Sequence, residues 1–116
     1  MRVHGLVANP SDHGLSVDVE FIVDTGAIYS VVSRSVADRV RLVEKGKRKF
    51  RTGSGIVELP VCEAYLTLDG DGITTLVAVT DSEETPALLG VTTLELLGLQ
   101  VDPVSGKLKP LDLLIL

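Results

Sequence analysis

Phe21-Ile22-Val23-Asp24-Thr25-Gly26-Ala27 decides the reading of this chain, because it sets a carboxylate at the end of an apolar strand with a small-residue turn directly after it. Upstream, Leu15, Val17, Val19, Phe21 and Val23 alternate with Ser16, Asp18, Glu20 and Ile22, the period-two pattern of a half-buried strand. A carboxylate in that position is partly desolvated and held by backbone, so its proton affinity is open to tuning. A strand that merely closes on Asp and Gly accounts for the tripeptide equally well, and an Asp-Thr-Gly arises by chance in roughly 1 to 3% of chains this long. The surroundings must therefore decide.

Working outward, residues 3–7 form a short first strand, joined to the next across a turn at residues 9–14. Ser35-Val36-Ala37-Asp38 has the form of a capping box opening one or two helical turns. Residues 47–52 and 56–59 make a hairpin tipped by Gly53-Ser54-Gly55, three small residues suited to unusual backbone angles and to a mobile tip. A strand over 61–68 turns at Asp69-Gly70-Asp71-Gly72 into another over 73–80, and 81–86 reads as a loop. Ala87-Leu88-Leu89 is a brief buried strand ended by Gly90. Thr92-Thr93-Leu94-Glu95 offers a second capping box for a helix closing at Gly98, after which Leu99-Gln100-Val101 resumes the sheet and Lys107-Leu108-Lys109 pairs back. The end, Leu111-Asp112-Leu113-Leu114-Ile115-Leu116, is an apolar tail that a small monomer would not leave in water.

Asp24-Thr25-Gly26-Ala27 followed by Ser30 and the apolar pair Val31-Val32, the Gly-tipped hairpin, Leu88-Leu89-Gly90, and Thr93-Leu94-Glu95-Leu96-Leu97-Gly98-Leu99 occur in an order and spacing that covers nearly the whole chain. In this the chain resembles the retropepsin-like aspartic proteases, specifically their small single-domain microbial members. The resemblance implies an all-β, retropepsin-like acid protease β-barrel with one short C-terminal helix, a single domain over residues 1–116, and a twofold homodimer. It implies that Asp24 is the catalytic aspartate, that Thr25 braces the paired loops across the dimer axis, and that Gly26 receives the substrate backbone, with Ala27 completing the loop. Leu89 and Gly90 would support that loop from beneath. Gly53, Ser54 and Gly55 would be the flap. The implied reaction is endopeptidase hydrolysis of an extended peptide or protein substrate, without cofactor. The alternative is a peptide-binding or dimerisation module on the same fold that cleaves little or nothing.

The chemistry itself calls for two carboxylates, one ionised to take a proton from water and one protonated to polarise the scissile carbonyl. No second Asp-Thr-Gly or Asp-Ser-Gly exists in the chain, so a homodimer bringing two Asp24 side chains to its axis is the simplest source. The chain departs from the retroviral enzymes where they carry acidic residues soon after the Asp-Thr-Gly-Ala and an Arg after the apolar-apolar-Gly segment. Ile28, Tyr29 and Val91 stand there instead, leaving a more apolar site.

Composition narrows the other possibilities. The 116 residues are 45% hydrophobic and 3% aromatic, which excludes a disordered chain and implies an aliphatic core. A net charge of −5 disfavours nucleic acid and anionic membrane surfaces as partners. One cysteine, Cys62, permits no internal disulfide, and no long apolar segment follows the N-terminus, so the expected address is cytoplasmic. His4, His13 and Cys62 have no zinc-ligand spacing and Asp69-Gly70-Asp71-Gly72 lacks the remaining EF-hand ligands, so no metal is assigned. The basic run Lys45-Gly46-Lys47-Arg48-Lys49-Phe50-Arg51 reads as a solvated edge strand whose lysines discourage aggregation, in preference to a surface for RNA or an acidic substrate.

Overall fold

The computed structural model describes residues 1–115. Its strands are β1 (Arg2–Asn9), β2 (Asp12–Val23), β3 (Ser30–Ser33), β4 (Glu44–Thr52), β5 (Gly55–Leu68), β6 (Asp71–Thr80), β7 (Ala87–Leu89), β8 (Leu99–Val101) and β9 (Leu108–Pro110). Two short helices, α1 (Arg34–Arg39) and α2 (Val91–Leu96), follow β3 and β7. The main sheet runs β1-β2-β7-β3-β6-β5-β4, and β1 also pairs antiparallel with β5 through Leu6↔Thr67, Val7↔Leu66 and Ala8↔Tyr65. That extra pairing closes six strands into a ring, removing two edges, and leaves β4 and the first half of β5 as a hairpin projecting from it.

The alternation along β2 holds: Val19 and Phe21 are buried while Ser16, Asp18 and Glu20 face solvent. Phe21 joins Val7, Val32, Val40, Leu66, Val77, Val79, Leu89 and Leu94 in one aliphatic core. Each such side chain, fully buried, contributes about 1.5–3 kcal/mol. Cys62 is part of this core, and burial pushes its thiol above its ordinary pKa, so it has no thiolate character.

Four local expectations need correction. The first turn is tighter than residues 9–14: the β1–β2 ladder continues to Asn9↔Asp12 because the Asn9 carboxamide accepts the Ser11 N–H at 2.8 Å and donates to the carbonyls of Val40 and Arg41. The α1 cap is Ser33, whose hydroxyl accepts the Val36 N–H at 3.2 Å. Ser35 lies inside the helix and bonds Glu83 instead. The α2 cap is Gly90, which has no side chain to bond with: the helix starts at Val91, so Thr92 lies inside it and cannot cap. Finally, β8 does not resume the main sheet. It forms a separate two-stranded ribbon with β9, since α2 carries the chain away and the Leu111 N–H closes onto the Gly98 carbonyl at 2.7 Å.

Leu113, Leu114 and Ile115 are 57%, 83% and 91% exposed in the single chain. Leu116, the last residue of the expected tail, lies outside the described residues. Among the described residues no helix is long and apolar enough to cross a membrane.

Candidate active site

Asp24 is the residue at which β2 ends, and three backbone bonds fix it there. Its N–H donates to the Leu89 carbonyl at 3.0 Å, continuing the parallel register Val23↔Leu89, and its own carbonyl accepts the Ala27 N–H at 3.1 Å. Its carboxylate Oδ1 accepts the Gly26 N–H at 3.0 Å. One oxygen is thus tied to the loop, while the half-buried side chain opens onto a cleft of about 960 Å³.

The loop is also fastened from behind. Val91 and Thr92 donate their N–H groups to the carbonyls of Ala27 and Ile28 at 2.8 and 3.2 Å. Ser30 is fully buried, its hydroxyl accepts the Gly90 N–H at 3.0 Å, and it shares a 2.6 Å hydrogen bond with the Thr93 hydroxyl. Ser30 is linked to a partner 63 residues away, so this bond ties β3 to the start of α2. Its sequence signal is only a small polar residue heading the apolar pair Val31-Val32, and Thr93 read only as an inner position of the Thr92-to-Glu95 capping box. Ser30→Ala leaves the Gly90 N–H and the Thr93 hydroxyl buried without this partner, for an expected loss of about 1–3 kcal/mol in chemical denaturation. A loss no larger for Ser30→Ala plus Thr93→Val than for either alone is expected from their shared bond; additive losses would show them to act separately.

Opposite Asp24 the β4–β5 hairpin forms the other wall. Phe50 packs edge-on to Tyr29 with ring centroids 5.5 Å apart, so an aromatic contact connects the loop after Asp24 to the hairpin. At the tip, the Thr52 hydroxyl accepts the Ser54 N–H at 3.3 Å and donates to the Gly55 carbonyl at 3.0 Å. Gly55 has φ +128°, outside what a side-chain-bearing residue readily adopts.

Asp24, Gly26, Ala27 and Ser54 therefore line one cleft. Gly53 and Gly55 flank it on the tip, and Leu89 and Gly90 lie behind it, both buried. Thr25 stands apart: it is exposed, and its hydroxyl has no hydrogen-bond partner among the described residues. Ile28 is 62% exposed beside it. The positions of Ile28, Tyr29 and Val91 contribute apolar surface and backbone bonds where a charged network was absent from the sequence.

Residues 16–96 match the family model described as "gag-polyprotein putative aspartyl protease". Among solved structures the chain is similar to the EIAV protease complexed with the inhibitor HBY-793, at TM-score 0.58 and 24% identity over 84% of this chain and 88% of that one. It is similar to the retroviral protease-like domain of Ddi1 from Leishmania major, at TM-score 0.61 and 16% identity over 95% and 88% of the two chains. A retropepsin-like aspartic protease from Rickettsia conorii gives TM-score 0.62 and 20% identity over 87% of this chain and 75% of the other. These likenesses establish the retropepsin fold. Among the curated proteins there is no significant match.

Proposed function

The chain belongs to this gag-type aspartyl protease family, and from that premise we propose that it is an aspartic endopeptidase whose Asp24 pairs with Asp24 of a second copy at a homodimer axis. The observation that carries the reading is the Asp24 carboxylate itself: with the Asp24 N–H bonded to the Leu89 carbonyl at a strand end and its Oδ1 accepting the Gly26 N–H, it opens onto a cleft walled by a projecting hairpin. A second copy is supported by what one chain leaves in water. The unpartnered Thr25 hydroxyl, the exposed Ile28 and the exposed Leu113, Leu114 and Ile115 are surfaces that a partner would cover.

In the proposed reaction the ionised member of the pair accepts a proton from the attacking water as the other, protonated, donates to the carbonyl oxygen. The water oxygen bonds to the carbonyl carbon to give a gem-diol. Proton transfer to the amide nitrogen then releases the amine, and the pair returns to its singly protonated state. Gly26 backbone and the hairpin tip at Gly53, Ser54 and Gly55 would hold an extended substrate between them, the tip excluding water as it closes. The buried thiol of Cys62 accords with a reducing, cytoplasmic setting.

The test is incubation of the protein with a diverse peptide library from acidic to neutral pH, read by mass spectrometry. Cleavage is expected to follow a bell-shaped profile, because activity requires the singly protonated pair: it falls on the acid side as the second carboxylate takes a proton, and on the alkaline side as the last shared proton leaves. Peptides bearing a statine-type hydroxyl in place of the attacking water should inhibit. Binding without any cleavage would instead identify a peptide-holding module, and a rate rising steadily to alkaline pH with sensitivity to chelators would refute the carboxylate pair.

A further inference from the structure

Five of the chain's 11 lysines and arginines fall within residues 45–51, so most of β4 is basic in a protein of net charge −5. The β4–β5 register sorts these charges by face. Arg48 is opposite Leu59 and Phe50 is opposite Val57, and all four line the cleft, as expected for alternate residues of one face. Lys47 and its partner Pro60 lie outside the cleft; Lys49 and Arg51 also border it, but their partners Glu58 and Ile56 do not, which puts these two on the other face of the hairpin. Arg48 is therefore the cation whose side of the hairpin faces Asp24 and the aromatic contact of Phe50 with Tyr29.

Its guanidinium has no carboxylate partner. The ion pairs among the described residues use Arg2, His4 and Arg34; in the loop 81–86, Asp81 is engaged by Arg34 and Glu83 by Ser35, and Glu84 does not line the cleft. Arg48 makes one hydrogen bond, from Nη1 to the Lys47 carbonyl at 3.0 Å, which leaves its other N–H donors free. A planar fork of free donors on the wall of a peptide cleft is suited to a carboxylate taken in two-pronged fashion.

We propose that Arg48 is a specificity-determining residue that selects substrates carrying an acidic side chain within the segment bound in the cleft. The inference rests on the peptidase reading above for its substrate, and it revises the view of the basic run as only a solvated edge: β4 is the edge strand, yet the exposed Arg48 lies on the face that lines the cleft. Lys49, with Glu58 directly across, and Arg51 border the same cleft from the opposite face of the hairpin and add a positive field there.

The test is a glutamate scan. A cleaved peptide, acetylated and amidated at its ends so that no terminal carboxylate competes, is made with Glu, Gln or Lys at each position in turn. At one or more positions kcat/KM should be about tenfold higher for Glu than for Gln, the worth of a charge-assisted pair over a neutral one, with Lys lower still. Arg48→Gln should remove the Glu-over-Gln difference and Arg48→Glu should favour Lys, whereas Lys47→Gln, which takes the same charge from the same strand outside the cleft, should retain the wild-type ranking. Equal rates for Glu and Gln throughout the scan, or an unchanged ranking in Arg48→Gln, would overturn the proposal. Binding of the same peptides to Asp24→Asn, by fluorescence anisotropy, separates the two readings. A Glu preference in binding by a protein that cleaves nothing overturns the peptidase and keeps the selectivity; cleavage and binding without preference do the reverse.

Discussion

Asp24→Asn is expected to lower kcat for peptide hydrolysis by about a thousandfold or more, leaving stability within about 0.5 kcal/mol of wild type. The asymmetry follows from the local bonds. The amide oxygen of asparagine still accepts the Gly26 N–H, and the backbone bonds to Leu89 and Ala27 do not involve the side chain, so the loop keeps its shape. What disappears is the group able to exchange a proton with water, and no other carboxylate lines the cleft. Steady-state kinetics beside a denaturation curve check both halves. Substantial cleavage by the folded variant would place the chemistry elsewhere.

Gly90→Ala is expected to damage the fold itself, costing about 3 kcal/mol or more. A Cβ at Gly90 would lie 2.5 and 2.6 Å from the carbonyl carbon and oxygen of Tyr29 and 2.9 Å from the Ile28 oxygen. These are backbone atoms, so no side-chain rotation relieves the contact. Separation would also break the Val91-to-Ala27 and Thr92-to-Ile28 bonds that hold the loop carrying Asp24. Thermal unfolding should show a large drop in Tm, with activity lost even where the protein stays folded. A variant as stable and active as wild type would mean that the segments bracing Asp24 can move apart freely. Both substitutions are expected to abolish cleavage, one through its proton chemistry and the other through the scaffold, and only the second is expected to change the melting curve.

Much of this arrangement was legible in the chain because it is written locally. The alternation from Leu15 to Val23 specifies which face of β2 is buried, and Asp24 follows where the alternation stops. The tip at Gly53, Ser54 and Gly55 and the break at Gly90 are marked by small residues. What was illegible depends on pairings between distant segments. Closure of the sheet needs Leu6, Val7 and Ala8 beside Thr67, Leu66 and Tyr65, and no local pattern announces it. The Ser30–Thr93 bond is of the same kind, since Thr93 is drawn inward by a partner the local window does not contain, while the capping pattern at Thr92 misled because α2 already begins at Val91. At Ser35 the error was one of boundary, since β3 runs directly into α1 and its last residue, Ser33, takes the cap. Arg48 was hidden in a run of like charges, because which of them shares a face with Phe50, Val57 and Leu59 is set by the register after the irregularity between Glu44 and Gly46.

The central claim is that two Asp24 side chains, one from each of two chains, make a single active site. Mixing wild-type and Asp24→Asn chains in known ratios, under conditions where subunits exchange, tests it directly. Activity per total protein should fall as the square of the wild-type fraction, to about one quarter at equal amounts, because only dimers with both carboxylates contain a complete pair. A fall in simple proportion to the wild-type fraction, to about one half at equal amounts, would contradict the account by showing that each chain acts alone.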